Sequence, residues 1–231
     1  MRIDKLLAHS GYGSRKDVKQ LLKDGLVTSN GKKIRSSGAH VDPEKDEIYV
    51  GDEKINYSKY VYYMLNKPDG YVSATEDNVY PTVIDLIKEY HPGLFPVGRL
   101  DVDTEGLLLI TNDGQLAHRL LSPRTHVPKT YYVKVKGRLG IGDVNAFTKG
   151  IPLEDFTCMP SYLNIIKSDE VSECEVTIYE GKFHQVKRMF QACGKEVVYL
   201  KRISMGELKL DENLKLGHYR PLTDEEINSI L

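Results

Sequence analysis

The chain has 231 residues, 40% of them hydrophobic and 28% charged, which supplies a packed core and argues against disorder. Its 32 basic and 33 acidic residues nearly cancel, so no whole-chain basic signature for nucleic acid exists. No apolar run of about 18 residues could span a membrane, Met1 to Lys5 lacks a signal-peptide core, and Cys158, Cys174 and Cys193 form no C-x-x-C pair, which disfavours a disulfide framework or thiolate zinc site and fits a reducing cytoplasm.

The average hides a split. Residues 1–35 carry nine Lys or Arg against three acids, whereas residues 36–59 carry three bases against six acids. Ile3, Leu6 and Leu7 predict a short helix ending at Gly11 or Gly13. Ser14 and Asp17 predict a capped second helix with Val18, Leu21 and Leu22 inward and Gly25 just past its end. Strands follow at 26–28 and 33–34 around an Asn30-Gly31 turn of type I′, and again at 48–50. Arg15, Lys16, Lys19 and Lys23 fall off the apolar stripe, and Lys32 and Lys33 follow the hairpin tip; together they could line one basic edge aimed at an anion.

The polar stretch 56–59 reads as a linker, giving domains at 1–56 and 57–231. A strand is expected at 60–65, a turn at 66–70 and a short helix from Thr82. Leu107 to Thr111 reads as a buried strand, followed by a helix bearing Leu116, Leu120 and Leu121. Strands at 131–135 and 173–179 alternate in polarity, residues 184–193 have a helical stripe, and Thr223 with Glu226 forms a capping box for a terminal helix.

The densest motif is Gly98-Arg99-Leu100-Asp101-Val102-Asp103-Thr104-Glu105-Gly106 followed by four apolar residues. Asp101, Asp103, Glu105 and Gly106 sit at calcium-loop positions, but Asn112 replaces the closing glutamate, Pro96-Val97-Gly98 stands where a helix should precede, and a strand overlaps the loop's second half, so a calcium site is rejected. Two loop carboxylates could serve glycoside chemistry, a weak signal by itself.

Two resemblances add to this. Arg2-x-Asp4-Lys5-Leu6-Leu7, Ser14-Arg15, Leu21-Leu22, Gly25-x-Val27 and Asn30-Gly31 resemble the αL RNA-binding fold found in a small-subunit ribosomal protein and in tyrosyl-tRNA synthetases. Asn66-Lys67-Pro68-x-Gly70-Tyr71, the Asp101 motif through Gly114, Lys129-Thr130-Tyr131, and Glu180-Gly181-Lys182-Phe183-His184-Gln185-Val186-Lys187-Arg188 resemble, in order, the motifs of the RsuA family of pseudouridine synthases. The resemblance covers the whole chain.

It implies an α+β protein: a small αL domain followed by a mixed, mainly antiparallel sheet with a central cleft. It implies isomerisation of a uridine in ribosomal RNA without cofactor or metal, in the cytoplasm, by a monomer. Length and the Lys67 and Tyr71 context point to 16S rRNA, free or in a pre-30S particle. Large-subunit 23S rRNA is the alternative, and a non-catalytic ribosome-assembly module the rival of another class. Asp101 is implied as the catalytic carboxylate, as nucleophile or as base. Lys187 is implied as its cationic partner, with Arg188 the adjacent alternative; Lys187 lies off the Val186/Phe190 stripe. Tyr131 would lie against the detached base, and Arg99 would take the place of the flipped nucleotide or hold its phosphate. Arg2, Lys5, Arg15, Lys16, Lys19, Lys32, Lys33 and Arg188 are expected to contact RNA. His184 reads as structural or RNA-contacting, and His118 and His126, near Arg119 and Arg124, as phosphate contacts.

Overall fold

The computed structural model describes residues 1–55, 57–89 and 91–230. Asn56, where the linker was expected to begin, and Leu231, the last residue of the expected second domain, lie outside the described residues. The chain divides into two compact units, Met1–Val61 with Ile87–Leu94, and Tyr62–Leu86 with Phe95–Leu231.

In the first unit, α1 (Ile3–His9) and α2 (Arg15–Lys23) bury Ile3, Leu6, Leu7, Val18 and Leu22 in one small core. The sequence explains the start of α2: Ser14 Oγ accepts from the Asp17 amide, and the Asp17 carboxylate accepts from the Ser14 amide at 2.8 Å, a reciprocal cap. Strands β1 (Val27–Ser29), β2 (Lys32–Lys33), β3 (Ile48–Val50) and β4 (Glu53–Lys54) form an antiparallel sheet of order β2-β1-β3-β4. Asn30 and Gly31 both have positive φ, as the expected hairpin turn demands.

The second unit runs β5 (Tyr62–Lys67), a single 3-10 turn (Val83–Leu86), β6 (Phe95–Pro96), β7 (Glu105–Thr111), α3 (Gly114–Leu121), β8 (Lys129–Lys136), α4 (Ile141–Lys149), β9 (Tyr162–Lys167), β10 (Val171–Ile178), α5 (Gln185–Ala192), β11 (Glu196–Met205), β12 (Leu208–Lys209), β13 (Tyr219–Pro221) and α6 (Asp224–Ile230). Its sheet has the order β13-β5-β7-β11-β8-β10-β9, with β6 on β7 and β12 on β11. Every pairing is antiparallel except β7 with β11. This is the mixed, mainly antiparallel α+β architecture the resemblance implied.

The alternation in β8 and β10 is realised: Tyr131, Val133 and Val135 are buried on β8, and Cys174, Val176 and Ile178 on β10. The helix expected from Thr82 is only the one-turn 3-10 segment. Seven elements had no sequence expectation: β4, β6, α4, β9, β11, β12 and β13. Helix α4 buries only Phe147, β9 buries only Leu163, and β11 interrupts its apolar residues with Lys201 and Arg202.

The only parallel pair in the described sheet depends on a glycine. Gly106 lies opposite Arg202 in the β7–β11 register. A Cβ on Gly106 would meet the Arg202 carbonyl oxygen at 2.2 Å, and the residue has φ +101°. Only glycine lets the two backbones approach so closely.

Candidate active site

The loop between β6 and β7 carries Asp101, and three ties hold it. Ser73, itself buried, accepts from the Leu100 amide and donates to the Leu100 carbonyl, both at 3.0 Å. The Gly70 amide donates to Val102 O at 3.0 Å, and the Thr104 amide closes the turn onto Asp101 O at 3.1 Å. The third tie is Lys67, fully buried at the end of β5. Its ammonium donates to the carbonyls of Pro68, Val102 and Thr104 at 3.0, 3.0 and 2.8 Å. Burial pulls the Lys67 pKa down from 10.5 to about 8, against the upward pull of Asp69, Asp103 and Asp101. Three carbonyls match the three N–H bonds of an ammonium.

The first turn of α5 meets this loop. His184 precedes the helix in a left-handed conformation, with φ +48°. Lys187 Nζ stands 3.0 Å from Asp101 Oδ2 and 2.5 Å from Asp103 Oδ1, so one ammonium bridges both carboxylates. Burial works to lower the Lys187 pKa, but the hydrogen bonds to Asp103 and Asp101 outweigh it, and the net shift is upward. Burial raises Asp103, yet the same ammonium holds its carboxyl below the usual range. His184 Nε2 lies 3.6 Å from Asp101 Oδ1. Arg188 does not reach Asp101. It pairs with Asp155 and places its guanidinium 5.5 Å from the centre of the Phe156 ring.

Asp101 opens into a cleft of about 610 Å³. Tyr131 on β8 lines it and is largely buried, while Tyr132, on the opposite face of the strand, donates to the Glu173 carboxylate. Arg99 lines the cleft and is exposed; it forms no ion pair with Asp103 or Glu105. Asp103 is taken by Lys187, and Glu105 accepts from Tyr199 Oη at 2.6 Å. Lys182 and Phe183 are also exposed on the cleft lining, and the Phe183 ring stacks on His184 with centroids 3.8 Å apart.

Asp101, Lys187, Tyr131 and Arg99 thus come to one locality, although Arg99 and Lys187 are 88 positions apart in sequence. Sequence reasoning used Lys67 only as part of a motif and of the context for the target, and assigned no role to Arg202. Lys67 stood in a recognised motif with nothing to mark it as buried. Arg202 shares a strand face with Leu200 at i, i+2, a periodic signal that would have placed it inward. In the first unit, Arg2, Lys5, Arg15, Lys16, Lys19, Lys32 and Lys33 are all exposed. Arg2 is also held by Asp4, with its Nη2 at 2.6 Å from Oδ2.

Comparison with known proteins matches residues 61–192 to the family model described as RNA pseudouridylate synthase, and residues 1–48 to the S4 domain. The chain is 50% identical over 232 residues to a Bacillus subtilis protein named as an uncharacterized RNA pseudouridine synthase, covering 99% of this chain and 97% of that one. It is 41% identical over 235 residues to the Escherichia coli ribosomal small subunit pseudouridine synthase A, covering all of both chains. A solved structure described as a pseudouridylate synthase superposes with a TM-score of 0.69 at 39% identity, again over the full length of both.

Proposed function

The chain belongs to the RNA pseudouridylate synthase family, and from that premise we propose that it converts one uridine of small-subunit 16S rRNA to pseudouridine, with Asp101 as its catalytic carboxylate. The observation that carries this reading is the Lys187 ammonium 3.0 Å from Asp101 at the edge of a cleft walled by Tyr131. The full-length likeness to small-subunit enzymes supports the choice of rRNA.

Isomerisation breaks the C1′–N1 bond, turns the uracil and forms C1′–C5. The electron pair of the broken bond leaves with the base; later C5 gives up its proton and N1 gains one. Nothing is oxidised and no group arrives from outside, so the reaction needs no cofactor. Asp101 acts on the sugar, either by attacking C1′ or by removing the C2′ proton. Lys187 holds that carboxylate in position and supplies the balancing charge. Tyr131 offers its ring to the base. Exposed Arg99 suits the phosphate of the flipped nucleotide or the gap it leaves in the RNA stack, where extrusion costs a few kcal/mol.

The residues 1–56 act as the αL RNA-binding domain and 57–231 as the catalytic domain, in a monomer working in the cytoplasm on rRNA or a pre-30S particle. No helix among the described residues is long and apolar enough to cross a membrane.

The test is to map pseudouridines in the rRNA of a strain lacking the gene and to restore the missing one in vitro with purified protein. Loss of one 16S pseudouridine, restored by wild type and not by Asp101→Asn, is the expected result. A missing 23S site would move the target to the large subunit, and intact rRNA with no activity in vitro would leave a non-catalytic RNA-binding protein.

A further inference from the structure

Arg202 is 2% exposed, among the largest fully buried side chains of the protein. Its Nε donates to Leu107 O at 2.8 Å. Its Nη2, also buried, has no hydrogen-bond partner among the described residues. A buried donor without a partner is costly, more so on a charged group, and native folds rarely leave one. The guanidinium is not adrift. β11 is pinned between β8, where Arg202 faces Tyr131, and β7, where it faces Gly106.

Arg202 lines the same cleft as Asp101 and Tyr131. Asp101 is the only carboxylate among the described residues lining it, and Lys187 already engages that group. Arg99, Lys129, Lys182 and Arg202 bring four cations to the lining. Lys129 shows the crowding: burial, and then the charge of Arg202, lower its pKa. An occupant must therefore bring electron density. Exposed Arg99 and Lys182 suit the phosphates of a strand that stays in solvent. Arg202, sealed beside Tyr131, suits the part of the nucleotide that leaves solvent, which is the base.

We propose that Arg202 is a base-contacting residue whose Nη2 donates to a carbonyl oxygen of the extruded uracil. The contact gains strength during the reaction. When C1′–N1 breaks, its electron pair moves to N1 and spreads onto O2 and O4, and the guanidinium then meets an anion instead of a neutral carbonyl. Reattachment through C5 returns a neutral base, and no bond to Arg202 forms or breaks. This rests on the pseudouridine-forming reading above.

The test uses full-length protein and rRNA from the deletion strain, comparing wild type, Arg202→Gln and Arg202→Lys. Melting temperature, RNA affinity and single-turnover rate are measured. Arg202→Gln keeps a side-chain N–H for Leu107 O and loses the charge. Its rate should fall about 100-fold or more, with RNA affinity within about threefold, the scale of losing one donor to developing charge. Arg202→Lys, which keeps the charge without the fork, should recover part of that loss. Should Arg202→Gln not fold, wild type is assayed on transcripts carrying 2-thiouridine or 4-thiouridine at the target, since sulfur accepts hydrogen bonds poorly. A slower rate on one of them is expected. A folded Arg202→Gln enzyme with a rate within threefold of wild type, or equal wild-type rates on uridine and both thio-substrates, overturns the inference alone. No conversion by wild type overturns the reading it rests on as well.

Discussion

Lys187 Nζ sits 3.0 Å from Asp101 and 2.5 Å from Asp103, so a single ammonium from α5 serves two carboxylates two residues apart on the β6–β7 loop. Both acids project from a turn whose backbone is held by Ser73, Gly70 and Lys67. The pair is therefore set by tertiary structure and not by local flexibility.

Asp101→Asn keeps the size of the side chain and removes its charge. Isomerisation should disappear while RNA affinity stays within a few-fold, because the exposed cations are untouched. Substantial single-turnover activity by this variant would refute the assignment of Asp101.

Lys187→Met should cost about 100-fold or more in rate, because it strips the counter-charge from a half-buried carboxylate. Lys187→Arg should retain much more activity. Arg188→Met should leave the chemical step within a few-fold, since Arg188 is engaged by Asp155 and Phe156. A Lys187→Met enzyme of normal rate beside an inactive Arg188→Met would reverse these roles.

How much of this was legible in sequence varies with range. The Ser14–Asp17 cap, the Asn30-Gly31 turn and the alternation of β8 and β10 are local signals, and each was readable. The motif resemblance carried Asp101 and Tyr131, and left Lys187 and Arg188 as alternatives. What separates those two is Asp155, 33 residues from Arg188 and outside every motif. Lys67 and Arg202 escaped for a related reason. The spacing of Arg202 with Leu200 marks an inward face, but the carbonyls that receive either cation are not local: Val102, Thr104 and Leu107 are 35, 37 and 95 residues away from their donors.

Arg15, Lys16 and Lys19 are exposed on α2, off its buried stripe. If they meet phosphate, replacing all three with alanine should weaken RNA binding and lower the slope of log affinity against log salt by about 2–3, near one per lost phosphate contact. Unchanged affinity and slope would make this face a solvated surface only.

Gly106→Ala should be among the most damaging single changes. The added Cβ would fall 2.2 Å from Arg202 O on a backbone of φ +101°, in the interior of the sheet. Urea unfolding should show a loss of about 3 kcal/mol or more, from strain plus displacement of β11. A loss under about 1 kcal/mol would mean that β7 and β11 separate easily.

Lys67 gives a test through pH. Its three acceptors, the carbonyls of Pro68, Val102 and Thr104, tie β5 to the Asp101 loop. Lys67→Met should leave those carbonyls without a buried donor, lower stability and slow the chemical step by letting the loop move. The ammonium is nevertheless costly to bury, which is why its pKa falls from 10.5 to about 8 in the folded chain. Between those values the unfolded chain binds a proton that the folded chain has lost, so stability must rise with pH across that window. The stabilisation attached to this group is present above pH 10.5 and is lost as pH falls through about 8, up to about 3 kcal/mol in all. Lys67→Met has no such group. The difference in unfolding free energy between wild type and Lys67→Met should therefore widen in favour of wild type as pH rises from 7 to 10.5. Chemical denaturation at a series of pH values measures it directly, and a difference that stays flat or narrows would show that the Lys67 ammonium is not under strain from burial.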